Sequence, residues 1–71
     1  MKIFIGNDLD DQFYTNAYII DFNLEEDVYW IEYTTYYGER VKRSMNMSNL
    51  LGIFDMTLFQ LARKIFSGTS T

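Results

Sequence analysis

Cysteine, histidine and proline are all missing from this 71-residue chain. Without cysteine no disulfide can form, and without cysteine or histidine zinc sites built from those ligands are excluded. A serine nucleophile would lack its ordinary base, and none of Ser44, Ser48, Ser67 or Ser70 sits in a nucleophile motif. Glycine is scarce as well: the four at positions 6, 38, 52 and 68 are too scattered to form a phosphate-cradling loop. Long apolar runs are absent. The run at Ile3-Phe4-Ile5 stops at Gly6, short of the 7–15 residues of a signal peptide, and Leu50 to Phe54 is a fraction of the roughly 20 residues a membrane span needs. The reading is a cytoplasmic chain with no membrane association.

These absences leave little for catalysis. Paired carboxylates can do acid/base work, but acids are common in turns and a chain of this size hardly encloses a substrate. Asn7-Asp8-Leu9-Asp10-Asp11 offers oxygen ligands, yet a calcium loop fails, because Phe13 stands where its glycine belongs and Ile19 where its bidentate glutamate belongs. The chain is therefore read as non-enzymatic, with no cofactor and no metal.

What is present in quantity is aromatic side chain. Six Phe, six Tyr and Trp30 make up 18% of the chain. Five of the ten residues from Val28 to Tyr37 are aromatic. A domain this short buries only about 60% of its unfolded surface, and with disulfides and Cys/His zinc unavailable it must gain stability from a dense core or a partner. Rings that each bury about 150–250 Å² can supply such a core.

Charge is unevenly placed. Net charge is −4. From Met1 to Glu39 nine acids face only Lys2, whereas from Arg40 onward Arg40, Lys42, Arg43, Arg63 and Lys64 face only Asp55. Two acidic clusters stand out, Asp8/Asp10/Asp11 and Glu25/Glu26/Asp27.

Along the chain, β-branched and aromatic runs predict strands over about 2–5, 12–22, 28–37 and 40–47. Alternation in the third puts Tyr29, Ile31, Tyr33, Thr35 and Tyr37 on one face and Val28, Trp30, Glu32, Thr34 and Tyr36 on the other. Gly38 is placed at the hairpin tip, able to take φ > 0. Leu50, Phe54, Leu58, Leu61 and Ile65 recur at helical spacing. They predict one amphipathic helix over about 49–66, capped by Ser48 or Asn49, or over 55–66 after a restart capped by Asp55. Residues 67–71 read as a frayed tail. The fold class is α+β: an antiparallel sheet of three to four strands with one C-terminal helix packed on one face.

Two functional expectations follow. The first is a small acidic protein–protein interaction module, an inhibitor or adaptor. Its acidic loops (Asp8, Asp10, Asp11, Glu25, Glu26, Asp27) would engage a basic surface of another protein, and it would self-associate through Trp30 and Tyr36 or a free strand edge. A chain that begins at its own Met1 with no catalytic motif suits a stand-alone protein, for example a phage-encoded antagonist of a host nucleic-acid enzyme. The alternative is a single-stranded nucleic-acid binder that stacks bases on Trp30 and Tyr36 beside Arg40, Lys42 and Arg43. Nucleic acid is the disfavoured partner, since the counterion-release term needs positive potential.

Overall fold

Ile3 and Ile5 are buried while Phe4 between them is exposed, the period-two pattern of a strand with one covered face. In the computed structural model, which describes residues 1–69, this strand, β1 (Ile3–Gly6), pairs with β2 (Thr15–Asn23). β3 (Val28–Thr34) and β4 (Arg40–Met45) complete a four-stranded antiparallel sheet in chain order. Two helices follow, α1 (Met47–Ile53) and α2 (Leu58–Thr69). The chain is α+β with four strands. No helix among the described residues is long and apolar enough to cross a membrane.

The elements differ from the sequence expectation where side chains take over backbone hydrogen bonding. β2 begins at Thr15 rather than 12, because Asp8 Oδ1 accepts the backbone N–H groups of Gln12, Phe13 and Tyr14 at 3.1, 3.2 and 3.0 Å. Those donors are lost to the sheet ladder. β3 stops at Thr34 rather than Tyr37: Thr35 N–H donates to the Glu39 carbonyl at 2.7 Å, Thr35 Oγ1 accepts from Glu39 N–H, and Gly38 takes φ 85°. Tyr36 and Tyr37 therefore lie in the turn. β4 ends at Met45 rather than Met47, since Asn46 caps α1, its side chain accepting from Asn49 N–H at 2.8 Å.

The single expected helix is two. α1 ends in a turn where Asp55 adopts φ 51° and Met56 N–H donates to the Leu51 carbonyl at 3.0 Å, the bond of a Schellman stop with aspartate in the usual glycine place. α2 is then opened by Thr57, not by Asp55. Thr57 Oγ1 accepts from Gln60 N–H at 3.1 Å and Gln60 Oε1 accepts from Thr57 N–H at 2.9 Å, a reciprocal capping box. The helix continues to Thr69, so residues 67–69 are not a tail; residues 70 and 71 lie outside the described residues.

The core gathers Ile3 and Ile5 from β1, Ala17 and Ile19 from β2, Tyr29, Ile31 and Tyr33 from β3, Leu50 from α1, Phe54 from the turn that follows it and Leu61 from α2. Two irregularities in β2 keep its inward set inward. The register with β3 shifts between Thr15 and Tyr18, where Asn16 takes φ 53°, and again between Ile19 and Asp21. The second shift lets Ile19 face Ile31 and Phe22 face Tyr29, three residues apart on one strand.

Candidate interaction surfaces

The face of the sheet opposite the core is open, and cross-strand register assembles it. Phe4 pairs with Tyr18, Tyr18 with Glu32 and Glu32 with Lys42, a single row across all four strands. Asp21, Trp30 and Ser44 form the next row. The Phe4 and Tyr18 rings meet edge to face at 5.1 Å, and the Lys2 and Arg40 cations lie 5.3 and 5.6 Å from the Tyr18 ring. Phe4 is 51% exposed and Trp30 44%.

Glu32 sits in the middle of this face. Arg40 Nε donates to its Oε1 at 3.1 Å and Lys2 Nζ lies 3.9 Å from its Oε2. The Arg40 hydrogen bond, with the charges of Lys2, Arg40 and Lys42, holds its carboxyl below the usual glutamate range against the opposing effect of partial burial. Arg40 is further committed to the fold: its Nη1 donates to the Asn16 carbonyl at 2.7 Å and to Thr34 Oγ1 at 3.0 Å. Arg43 does not join this face. It pairs with the inward Ile31, and its Nη1 donates to the Tyr14 hydroxyl at 3.3 Å.

The antiparallel order sends the two acidic clusters to opposite ends of the sheet. The 7–14 loop shares one end with the 35–39 turn, and the 24–27 turn lies at the other beside the start of β1. Members of the clusters differ in availability. Asp8 is buried, its Oδ1 occupied by the loop. Asp27 accepts Met47 N–H at 3.0 Å and so ties the 24–27 turn to α1. Asp10, Asp11, Glu25, Glu26 and Glu39 are exposed. Both ion pairs among the described residues end on Glu32, so these five carboxylates have no ionic partner. Among the described residues no three acidic side chains converge closely enough to hold a metal ion.

The aromatics separate likewise. Trp30 lies on the open face, whereas Tyr36, 67% exposed, stands edge to face with Tyr37 in the turn. There it lines an open cleft of about 540 Å³ with Phe13, Tyr14, Tyr33 and Arg43. Tyr29 and Tyr33 are buried as the alternation predicts. Burial, helped by the Asp27 charge, pushes the Tyr29 hydroxyl up from 10.0. No known family, curated protein or solved structure matches this chain. Its surfaces must therefore be judged on their own chemistry.

Two features escaped the sequence reading. Lys2, Phe4 and Tyr18 belong to the open face, which only the register of β1 against β2 could reveal. The other is an apolar groove at the end bearing the 24–27 turn, between Leu24 and α2, floored by Tyr29, Met47, Leu61 and Ile65. Helical spacing marks the α2 wall of that groove. What signals a groove rather than more core is the exposure of its α2 residues Leu58 and Phe66, 56% and 72%.

Proposed function

We propose that the protein is a small interaction module, an inhibitor or adaptor, that binds a basic surface of another protein through the acidic ends of its sheet. One observation carries this reading: both ion pairs among the described residues converge on Glu32, leaving Asp10, Asp11, Glu25, Glu26 and Glu39 exposed with no cation paired to them there. Carboxylates held at fixed loop positions steer a cationic partner and select its orientation. The phosphate-binding groove of a nucleic-acid enzyme is the kind of surface they suit. Asp8 and Asp27 serve by shaping the loops and not by contact.

A tagged pull-down, with and without nuclease and read by mass spectrometry, tests the reading. The expected result is a stoichiometric partner that survives nuclease and whose capture falls with Asp10→Lys/Asp11→Lys or Glu25→Lys/Glu26→Lys. Unchanged capture by both double variants overturns it.

The open sheet face supports a second reading, a single-stranded nucleic-acid platform. Exposed Phe4 and Trp30 with Tyr18 offer stacking surface between Lys2 and Lys42. Glu32 in the same row opposes it, since a fixed carboxylate repels phosphate. Under this reading Trp30 fluorescence is quenched by oligonucleotide in a salt-dependent manner, and Lys42→Ala weakens the effect. A flat titration at low salt removes it.

A further inference from the structure

We infer that the α2 side of the groove is a self-association surface that takes a second copy of this chain. Around α2, at 100° per residue, Leu58, Ala62, Phe66 and Phe59 follow one another over a continuous arc next to the buried Leu61 and the half-buried Ile65. Leu24 stands across the groove on the β2–β3 turn. Leu24, Leu58 and Phe66, which line the groove, are 66, 56 and 72% exposed, Phe59 beside them on the α2 surface is 70% exposed, and no charged residue lines the groove. An apolar stripe this concentrated marks an interface.

Charge selects the occupant. Next to Leu24 in the β2–β3 turn come the exposed Glu25 and Glu26; next to Phe59 around α2 comes Arg63, its guanidinium 5.9 Å from the Phe59 ring. Among the described residues none of these three charges has an ionic partner. The stripe is thus acidic on one side and basic on the other, which makes it self-complementary. A two-fold axis lying along α2 sets stripe against stripe and carries the Glu25/Glu26 bank of each copy over Arg63 of the other. An axis across the helix would instead set like charge on like.

Area fits a modest dimer. With a phenylalanine worth about 150 Å² or more when buried, the four exposed side chains offer about 500 Å² per copy. The pair then reaches the roughly 1,000 Å² at which specific interfaces begin. Such contact also supplies the outside support that a 71-residue domain without disulfides needs. The inference goes beyond the basic-partner reading and does not depend on it. Asp10, Asp11 and Glu39 stay outside this interface at the far end of each copy.

Sedimentation velocity on the purified full chain, from low micromolar to near-millimolar concentration, is the test. The expected result is a reversible monomer–dimer equilibrium. Leu58→Gln and Phe59→Gln each move its midpoint at least about tenfold upward, the size of a hot-spot loss. Arg63→Glu weakens the dimer as well, and adding Glu25→Arg and Glu26→Arg restores it. Far-ultraviolet circular dichroism of dilute samples checks that each variant is folded. Should an apolar variant unfold, the charge-swap set alone decides. A monomer at every concentration, a dimer indifferent to Leu58 and Phe59, or a swap that fails to restore association overturns the proposal. Because no partner is present in the tube, failure here leaves the basic-partner reading untouched.

Discussion

One oxygen of Asp8 shapes the whole 7–14 loop. Three backbone N–H groups aim at Oδ1, and Asp8 is the only buried polar or charged residue among those described. A carboxylate accepting several charge-assisted bonds cannot be removed without stranding the donors. Asp8→Ala is expected to destabilise the fold by about 2–3 kcal/mol, read from urea unfolding, whereas Asp10→Ala, at an exposed position, should fall within about 0.5 kcal/mol of the parent. Glu32 gives a pH signature. Its carboxyl titrates below the ordinary 4.5 in the folded state because the Arg40 hydrogen bond and nearby cations favour the charged form. The resulting stabilisation is present above pH 4.5 and is lost as pH falls through the lower folded-state value. Thermal melts across that range should show Glu32→Gln losing less stability on acidification than the parent. Equal acid sensitivity would mean that Glu32 ionisation does not support the fold.

Elements were legible in the sequence to the extent that their periodicity does not depend on side-chain hydrogen bonds. The alternation of Tyr29, Ile31 and Tyr33 and the helical spacing of Leu50, Phe54 and Leu61 could be read directly, since burial of one face imposes those periods. Boundaries were not legible where a side chain replaced a backbone partner: Asp8 before β2, Thr35 after β3, Asn46 before α1. The Thr57-Leu58-Phe59-Gln60 capping box was present in the letters, but the stronger cap propensity of Asp55 masked it. Asp55 instead takes the left-handed conformation that ends α1, while Gly52 sits inside α1 with open space around its missing Cβ. Glycine is thus placed where it weakens a helix, and an L-residue where glycine would relieve strain. Gly52→Ala and Asp55→Gly are each expected to raise stability by about 0.5–1 kcal/mol, measured as a higher denaturant midpoint at unchanged slope. A loss with Asp55→Gly would show that its side chain contributes more than its backbone strain costs.

For the molecule as a whole, the sheet order decides what its charge can do. Sequence alone identified both acidic clusters but not their relation, because placement depends on whether the loops share an end. They do not, and nine residues of β2 separate them by about 30 Å, several times the Debye length of about 8 Å at physiological salt. The two clusters therefore act as independent charges on a rigid frame. For a captured basic partner, Asp10→Lys/Asp11→Lys and Glu25→Lys/Glu26→Lys should change the association free energy additively, to within about 0.5 kcal/mol. Each effect should shrink as salt rises. Association rates over a range of ionic strength, for the parent, the two double variants and their combination, measure this. A combined loss larger than the sum would mean that one continuous basic surface contacts both ends at once along the length of the sheet, so that losing either end misaligns the other. An effect confined to the Asp10/Asp11 end would leave the Glu25/Glu26 end to the second copy.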